Sequence, residues 1–122
     1  MSISVLAISI DAHDAARLAH FWARSLHRAV DNGATEEFAS VAADSDCQLG
    51  PFLLFHKVPE GKTVKNRVQF DLQANDVEAE ADRLTGLGAQ QIRSLAENNN
   101  RWISFLDPEG NEFDLVAQRI TV

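Results

Sequence analysis

The chain carries the same order of elements twice. A strand-like run over 5–10 leads into a helical pattern over 14–26, and a second run over 68–72 leads into a helical pattern over 76–87. In each half the helix is followed by short β-rich segments that end in a strong strand. These two strands cover 52–58 and 112–116. Such a repeat predicts two small modules that share one fold, with the chemistry on the sheet surface between them.

The helical segments show where each module should bury its core. Asp14 and Asp76 stand at the N-cap positions, and apolar residues follow at spacings of three and four. The expected buried positions are Leu18, Phe21, Trp22 and Leu26 in the first helix, and Val77, Ala81, Leu84 and Leu87 in the second. We therefore predict an α+β fold in one domain over 1–122, built from βαβββ modules at about 1–60 and 61–122, with the helices outside a curved mixed sheet.

Composition narrows the class of function. The chain has 122 residues, a formal net charge of −7 and no block of Lys or Arg, which argues against nucleic acid and anionic membranes as partners. Cys47 is its one cysteine, so an intrachain disulfide is excluded and a reducing cytoplasm is the expected location. No apolar run reaches the roughly 20 residues that a membrane helix needs.

Alternation along the strands predicts which side chains face a binding site. Val68, Phe70 and Leu72 should pack against the helices, so Asp71 and its alternating neighbours should face the other way. Phe52 and Trp102 should provide apolar walls there. The polar residues expected on this second face are His56, Arg67, Gln69, Asp71, Ser104, Glu112 and Asp114. A solvated sheet surface would show the same alternation, so the alternation alone does not separate the two interpretations.

Several segments resemble the glyoxalase / bleomycin-resistance / ring-cleaving dioxygenase superfamily, the vicinal oxygen chelate proteins. In the first half they are residues 8–14, which lead into 18–22. In the second half they are 64–72, which includes Lys65-Asn-Arg-Val68, and Leu87-Gly-Ala89. Near the end they are Trp102 and the stretch 107–116, which begins Asp107-Pro-Glu-Gly-Asn-Glu-Phe113. Within the superfamily, the chain is most similar to the subgroup of glyoxalase-like domains. The resemblance implies two βαβββ modules, a U-shaped sheet cleft and commonly a dimer, so we expect a homodimer.

The resemblance also implies four positions at which metal-using members place their ligands. Mapped by the repeat, these positions hold Ala7, His56, Gln69 and Asp114. Ala7 cannot ligate a metal and an amide is a weak ligand, so we expect either no cofactor or a weakly bound divalent metal. His56 remains open as a ligand, a catalytic base or a hydrogen-bonded polar residue.

The leading hypothesis is a small-molecule-binding protein with a degraded metal site that binds its ligand in the sheet cleft. One alternative is a metal-dependent lyase, isomerase or oxygenase, in which His56 and Asp114 act as ligands or as a general base. Another is an interaction module without a small ligand. Phe52, Trp102 and the carboxylates Asp71, Glu112 and Asp114 would suit a cationic ligand.

Overall fold

The chain divides into two compact units, module one (Met1–Gly61) and module two (Lys62–Val122). The computed structural model describes residues 2–42, 51–97 and 100–117. Over these residues it contains two helices and seven strands in two mixed sheets, which confirms the α+β expectation. Cys47, most of the loop expected around it and part of the loop expected at 98–100 lie outside the described residues.

Module one begins with a strand parallel to its last strand. Its elements are β1 (Ala7–Ala12), α1 (Ala15–Ser25), β2 (Phe38–Val41) and β3 (Phe52–Lys57). The strand order is β1-β3-β2, in which β1 is parallel and β2 antiparallel to β3. Val30 adds a single bridge to Val41 on the outer side of β2. This bridge stands where the βαβββ pattern has its first strand after the helix.

Module two repeats this topology with every strand formed. Its elements are β4 (Phe70–Ala74), α2 (Val77–Leu87), β5 (Gln90–Glu97), β6 (Asn100–Leu106) and β7 (Glu112–Ala117). The order is β4-β7-β6-β5, with β4 parallel to β7 and the other neighbours antiparallel. The first strand of each module therefore lies at a sheet edge, beside the last strand.

Both helices begin where the sequence predicts. The Asp14 carboxylate accepts a hydrogen bond from the Arg17 amide at 3.1 Å, and the Asp76 carboxylate accepts one from the Ala79 amide at 3.0 Å. Each bond satisfies an amide that the first helical turn leaves without a partner. The second helix ends at Gly88, whose φ of 123° lies in the region that glycine adopts without strain.

The cores lie between each helix and its sheet. In module one, Leu18, Phe21 and Trp22 of α1 are buried with Leu53 and Phe55 of β3. In module two, Phe105 and Phe113 are fully buried and their rings stack with centroids 5.3 Å apart. The buried residues packed with them are Val77, Ala81, Leu84, Ile103 and Leu115. The expected helix stripes are therefore confirmed, except that Leu26 and Leu87 are only half-buried.

The start of β4 differs from the expectation. Val68 is 80% exposed and does not pack under the helix, because β4 begins two residues later, at Phe70. Phe70 and Leu72 are half-buried, since β4 is an edge strand with a neighbour on one side only. Among the described residues, no helix is long and apolar enough to cross a membrane.

Candidate functional site

The orientation of module two's sheet follows from one residue of β6. Arg101 forms an ion pair with Glu78 of α2, so Arg101 and its alternating partners Ile103 and Phe105 face the helix. Trp102 and Ser104 must then face the opposite side. We call this side, which carries Asp71, Asp114, Ser104 and Trp102, the open face.

Two carboxylates and a hydroxyl form a row across the open face. Asp71 of β4 lies directly beside Asp114 of β7, and Asp114 lies directly opposite Ser104 of β6. The Ser104 hydroxyl donates a hydrogen bond of 2.7 Å to Asp114 Oδ1, and the Gln69 amide nitrogen donates one of 3.1 Å to Asp71 Oδ1. The sequence predicts these four residues for one face, and the structure brings them together. Each carboxylate keeps further lone pairs with which to accept a ligand's donors.

Glu112 lies on the same side of β7 but has a structural partner. Its carboxylate contacts the Lys62 ammonium at 2.9 Å and accepts a hydrogen bond of 3.1 Å from the Asn66 amide. The hydrogen bond from Lys62 lowers the pKa of Glu112 below its usual value. Glu112 therefore holds the segment before β4 against the sheet.

Arg67 stands apart from the row. It lies in the bend before β4, and its side chain is exposed. A strand that included Arg67 would have aligned it with Gln69 and Asp71, but β4 starts only at Phe70. The structure therefore gives Arg67 no fixed place on the open face.

Trp102 gives the open face an apolar section. It lies opposite Val116 of β7 and opposite Leu95 of β5, and all three are at least partly exposed. This apolar row lies two residues along the strands from the Asp71–Asp114–Ser104 row. The open face thus offers an aromatic surface next to fixed hydrogen-bonding groups, the combination typical of small-molecule sites.

His56 and Phe52 belong to module one. His56 of β3 lies beside Asp11 of β1 and opposite Phe38 of β2, and the rings of Phe38 and His56 are tilted with centroids 5.2 Å apart. Phe52 and Phe38 are both exposed. The sequence analysis does not single out Asp11 or Phe38, because alternation along a strand predicts a face but not the cross-strand partner.

A family model, the glyoxalase-like domain, matches residues 7–116. The chain belongs to the glyoxalase-like domain family. No curated protein matches the chain.

Solved structures of the same superfamily share the fold. A glyoxalase/bleomycin resistance protein/dioxygenase family enzyme from Burkholderia phytofirmans PsJN is 14% identical, with 91% of this chain and 95% of that one covered and a TM-score of 0.70. A glyoxalase/bleomycin resistance protein/dioxygenase from Nocardioides is 15% identical, with 96% of this chain and 84% of that one covered and a TM-score of 0.71. Lactoylglutathione lyase from Agrobacterium tumefaciens is 12% identical, with 96% and 95% covered and a TM-score of 0.63.

The strand register gives a second alignment of the four metal positions implied by the family, which differs at one of them. Aligning the helix caps Asp14 and Asp76 pairs Ala7 with Gln69 and Ser9 with Asp71. Asp71 lies beside Asp114, whereas Ser9 lies beside Leu54. The module-one counterpart of Asp114 is therefore Leu54, and His56 lies two residues further along β3.

In this alignment the residues at the four positions do not fit a metal ion. Ala7 and Leu54 have no donor atom, so module one supplies none at these positions. In module two, Gln69 offers an amide that already bonds Asp71, and Asp114 accepts from Ser104. Across 2–42, 51–97 and 100–117, no three or more His, Cys, Asp or Glu side chains are grouped so that they could hold a metal. One carboxylate and one amide are too few for a tight divalent site.

Proposed function

We propose that this glyoxalase-like domain binds a small organic molecule on the open face of module two, without a metal ion at the family's ligand positions. The observation that supports this most is the row of Asp71, Asp114 and Ser104 beside the Trp102 surface. The row is built from groups whose orientation is fixed by hydrogen bonds before any ligand arrives. Such groups lose little further freedom on binding, which favours affinity.

The fold is consistent with this proposal. Its solved neighbours include a lactoylglutathione lyase and dioxygenase-family enzymes, whose substrates are small organic molecules. The acidic row and the overall charge of −7 favour a ligand that carries a cationic group. The aromatic ring of Trp102 would lie against the ligand's apolar part.

The rival function is a metal-dependent lyase, isomerase or oxygenase that uses His56 and Asp114. The donor set supports the metal-free binder more, because the register gives Asp114 the counterpart Leu54 and not His56. The other alternative is an interaction module without a small ligand, and the Trp102 surface beside hydrogen-bonded polar groups supports a ligand site more than it.

We also propose that two copies of the chain form a homodimer. Exposed large apolar side chains precede or begin the first strand of each module, including Leu6 and Val68, and such surfaces are typical of protein interfaces. Light scattering at micromolar concentration should give twice the mass of the chain, which is 13.5 kDa. A mass of one chain at every concentration would contradict the dimer.

The binding proposal can be tested through the two tryptophans. Trp22 is buried in the core of module one and Trp102 is half-buried on the open face, so acrylamide should quench mainly Trp102. Benzylamine, an aromatic cation, should protect Trp102 from quenching at concentrations of about 1–20 mM, as expected for so small a probe. The protection should be absent in Trp102→Phe.

A matched pair of charge variants locates the site. Asp114→Asn should weaken the protection by benzylamine several-fold. Asp82→Asn removes the same charge from an exposed position on α2 and should leave the protection unchanged. Equal effects of the two variants, or no protection in the native protein, would refute binding at the open face.

A further inference from the structure

The outer strand of module two places a cation at the end of the acidic row. Arg93 of β5 lies directly opposite Ser104 of β6, which itself lies opposite Asp114. The register therefore continues from Asp71 through Asp114 and Ser104 to Arg93, one residue from each of the four strands. Because cross-strand partners share a face, Arg93 lies on the open face.

A β-bulge accounts for this placement. The register of β5 shifts between Gln91, which pairs with Phe105, and Arg93, which pairs with Ser104. The additional residue in β5 is Ile92. In a regular ladder Ile92 would stand opposite Ser104, and Arg93 would point toward the helix with Ile103. The bulge thus turns Arg93 to the open face, the kind of re-aiming for which bulges near binding sites are known.

Contacts on the helix side confirm the register after the bulge. Ser94, the next residue, accepts a hydrogen bond of 3.0 Å from Arg101, which also pairs with Glu78 of α2. Ser94 therefore faces the helix, and its neighbours Arg93 and Leu95 face away from it. Leu95 lies opposite Trp102, so the bulge also extends the apolar row.

The open face thus has charges of opposite sign at its two ends. Neighbouring strands are about 4.8 Å apart, so the backbones at Asp114 and Arg93 are separated by roughly 10 Å. Ser104 fills the position between them and is only 8% exposed. A planar guanidinium binds a carboxylate with two parallel hydrogen bonds, whereas a carboxylate pair suits an ammonium group.

We propose that Arg93 determines specificity on this face by binding the carboxylate of an amphoteric ligand. The ligand's amine lies at Asp114 and Asp71, and its apolar body lies on Trp102 and Leu95. This inference rests on the proposed function, and it narrows the ligand class from cations to molecules with an amine and a carboxylate at opposite ends of an apolar scaffold.

Three probes built on the same benzene ring test the inference by NMR titration of the isotopically labelled protein. 4-(Aminomethyl)benzoate carries both charges, benzylamine carries only the amine, and benzoate carries only the carboxylate. The first should bind with a Kd on the order of 1 mM and at least about tenfold more tightly than the other two. Its shifts should include Trp102, Ser104 and Arg93.

Variants of two arginines separate a direct contact from a general charge effect. Arg93→Gln should remove the advantage of 4-(aminomethyl)benzoate and leave the affinity for benzylamine unchanged, whereas Arg93→Lys should retain part of the advantage. Arg101→Gln removes the same charge from the helix side of the sheet and should retain it fully. Thermal melts of all variants establish that each is folded.

The outcomes separate the role of Arg93 from the proposed binding of a ligand at the open face. If benzylamine binds at Trp102 and Asp114 but the amphoteric probe gains nothing, the role of Arg93 is refuted and the binding site stands. If Arg93→Gln and Arg101→Gln have equal effects, the role of Arg93 is also refuted. If none of the probes shifts the open face, the proposed function fails together with the inference.

Discussion

Two phenylalanines at neighbouring positions of the module-two sheet should differ sharply in their contribution to stability. Phe70 and Phe113 are register partners and share the helix-facing side. Phe113 is 1% exposed and stacks on Phe105, whereas Phe70 lies on the edge strand and is half-buried. Truncation of Phe113 to alanine therefore removes contacts that are fully buried, whereas the same truncation of Phe70 removes contacts that are partly exposed to solvent.

The magnitudes follow from this difference in burial. Phe113→Ala leaves a cavity among Phe105, Leu115 and Ile103, and should lower the free energy of unfolding by about 3–5 kcal/mol. Phe70→Ala loses roughly half of the transfer free energy of a phenylalanine and opens no closed cavity, so it should cost about 1–2 kcal/mol.

Urea denaturation followed by circular dichroism measures both losses. The slope with urea should remain close to the native value, so that the midpoint reports stability. A loss for Phe70→Ala equal to or larger than that for Phe113→Ala would refute the burial argument. A loss below about 1 kcal/mol for Phe113→Ala would refute the assignment of faces in this sheet.

Two further predictions concern charged groups. The pKa of Glu112 is lowered in the folded state, chiefly by the hydrogen bond from Lys62. The stability that this pair contributes is therefore present above the usual carboxyl pKa of 4.5, and it is lost as the pH falls through the folded-state pKa. Melting temperatures of the native protein should therefore fall more steeply below about pH 5 than those of Glu112→Gln, and parallel curves would contradict the pairing. Asp76→Ala removes the cap of α2 and should cost about 1 kcal/mol in urea melts. Asp82→Ala, on the exposed side of the same helix, should change stability by less than about 0.5 kcal/mol, and equal losses would count against the cap.

The helices and most strands could be predicted because their signals are local. Asp14 and Asp76 stand at the caps, and apolar spacing marks the buried side of each helix. Strands such as β7 alternate regularly between buried and half-buried residues. These patterns depend on neighbours in sequence, and the structure confirms them.

The strand that carries Arg93 gave no such signal. The sequence of this edge strand, Gln90–Glu97, has no apolar alternation, and all eight of its residues are exposed. Its bulge also reverses which residues face the helix, and a regular period cannot reveal that reversal. Arg93 was therefore missing from the candidate site that the sequence predicted.

The position of His56 could not be fixed for a different reason. Pairing between β1 and β3 joins segments about 45 residues apart, and the register of such a pair depends on tertiary packing. A difference of two residues keeps the same face of the strand, so alternation could not distinguish His56 from Leu54. The role of His56, beside Asp11 and Phe38, remains a prediction.

The proposed function requires that the open face binds its organic ligand with no metal ion at the family positions. Titration calorimetry with Ni²⁺ and Zn²⁺ measures whether these positions hold a metal ion. The native protein should bind either ion more weakly than about 10 μM, because the family positions supply only a single carboxylate and a single amide, and the neighbouring Asp71 carboxylate does not complete the coordination. A chelator should leave its melting temperature unchanged. Gln69→His should bind more tightly, since imidazole is a better ligand than an amide oxygen. Tight, stoichiometric binding of either ion by the native protein would contradict a metal-free ligand site.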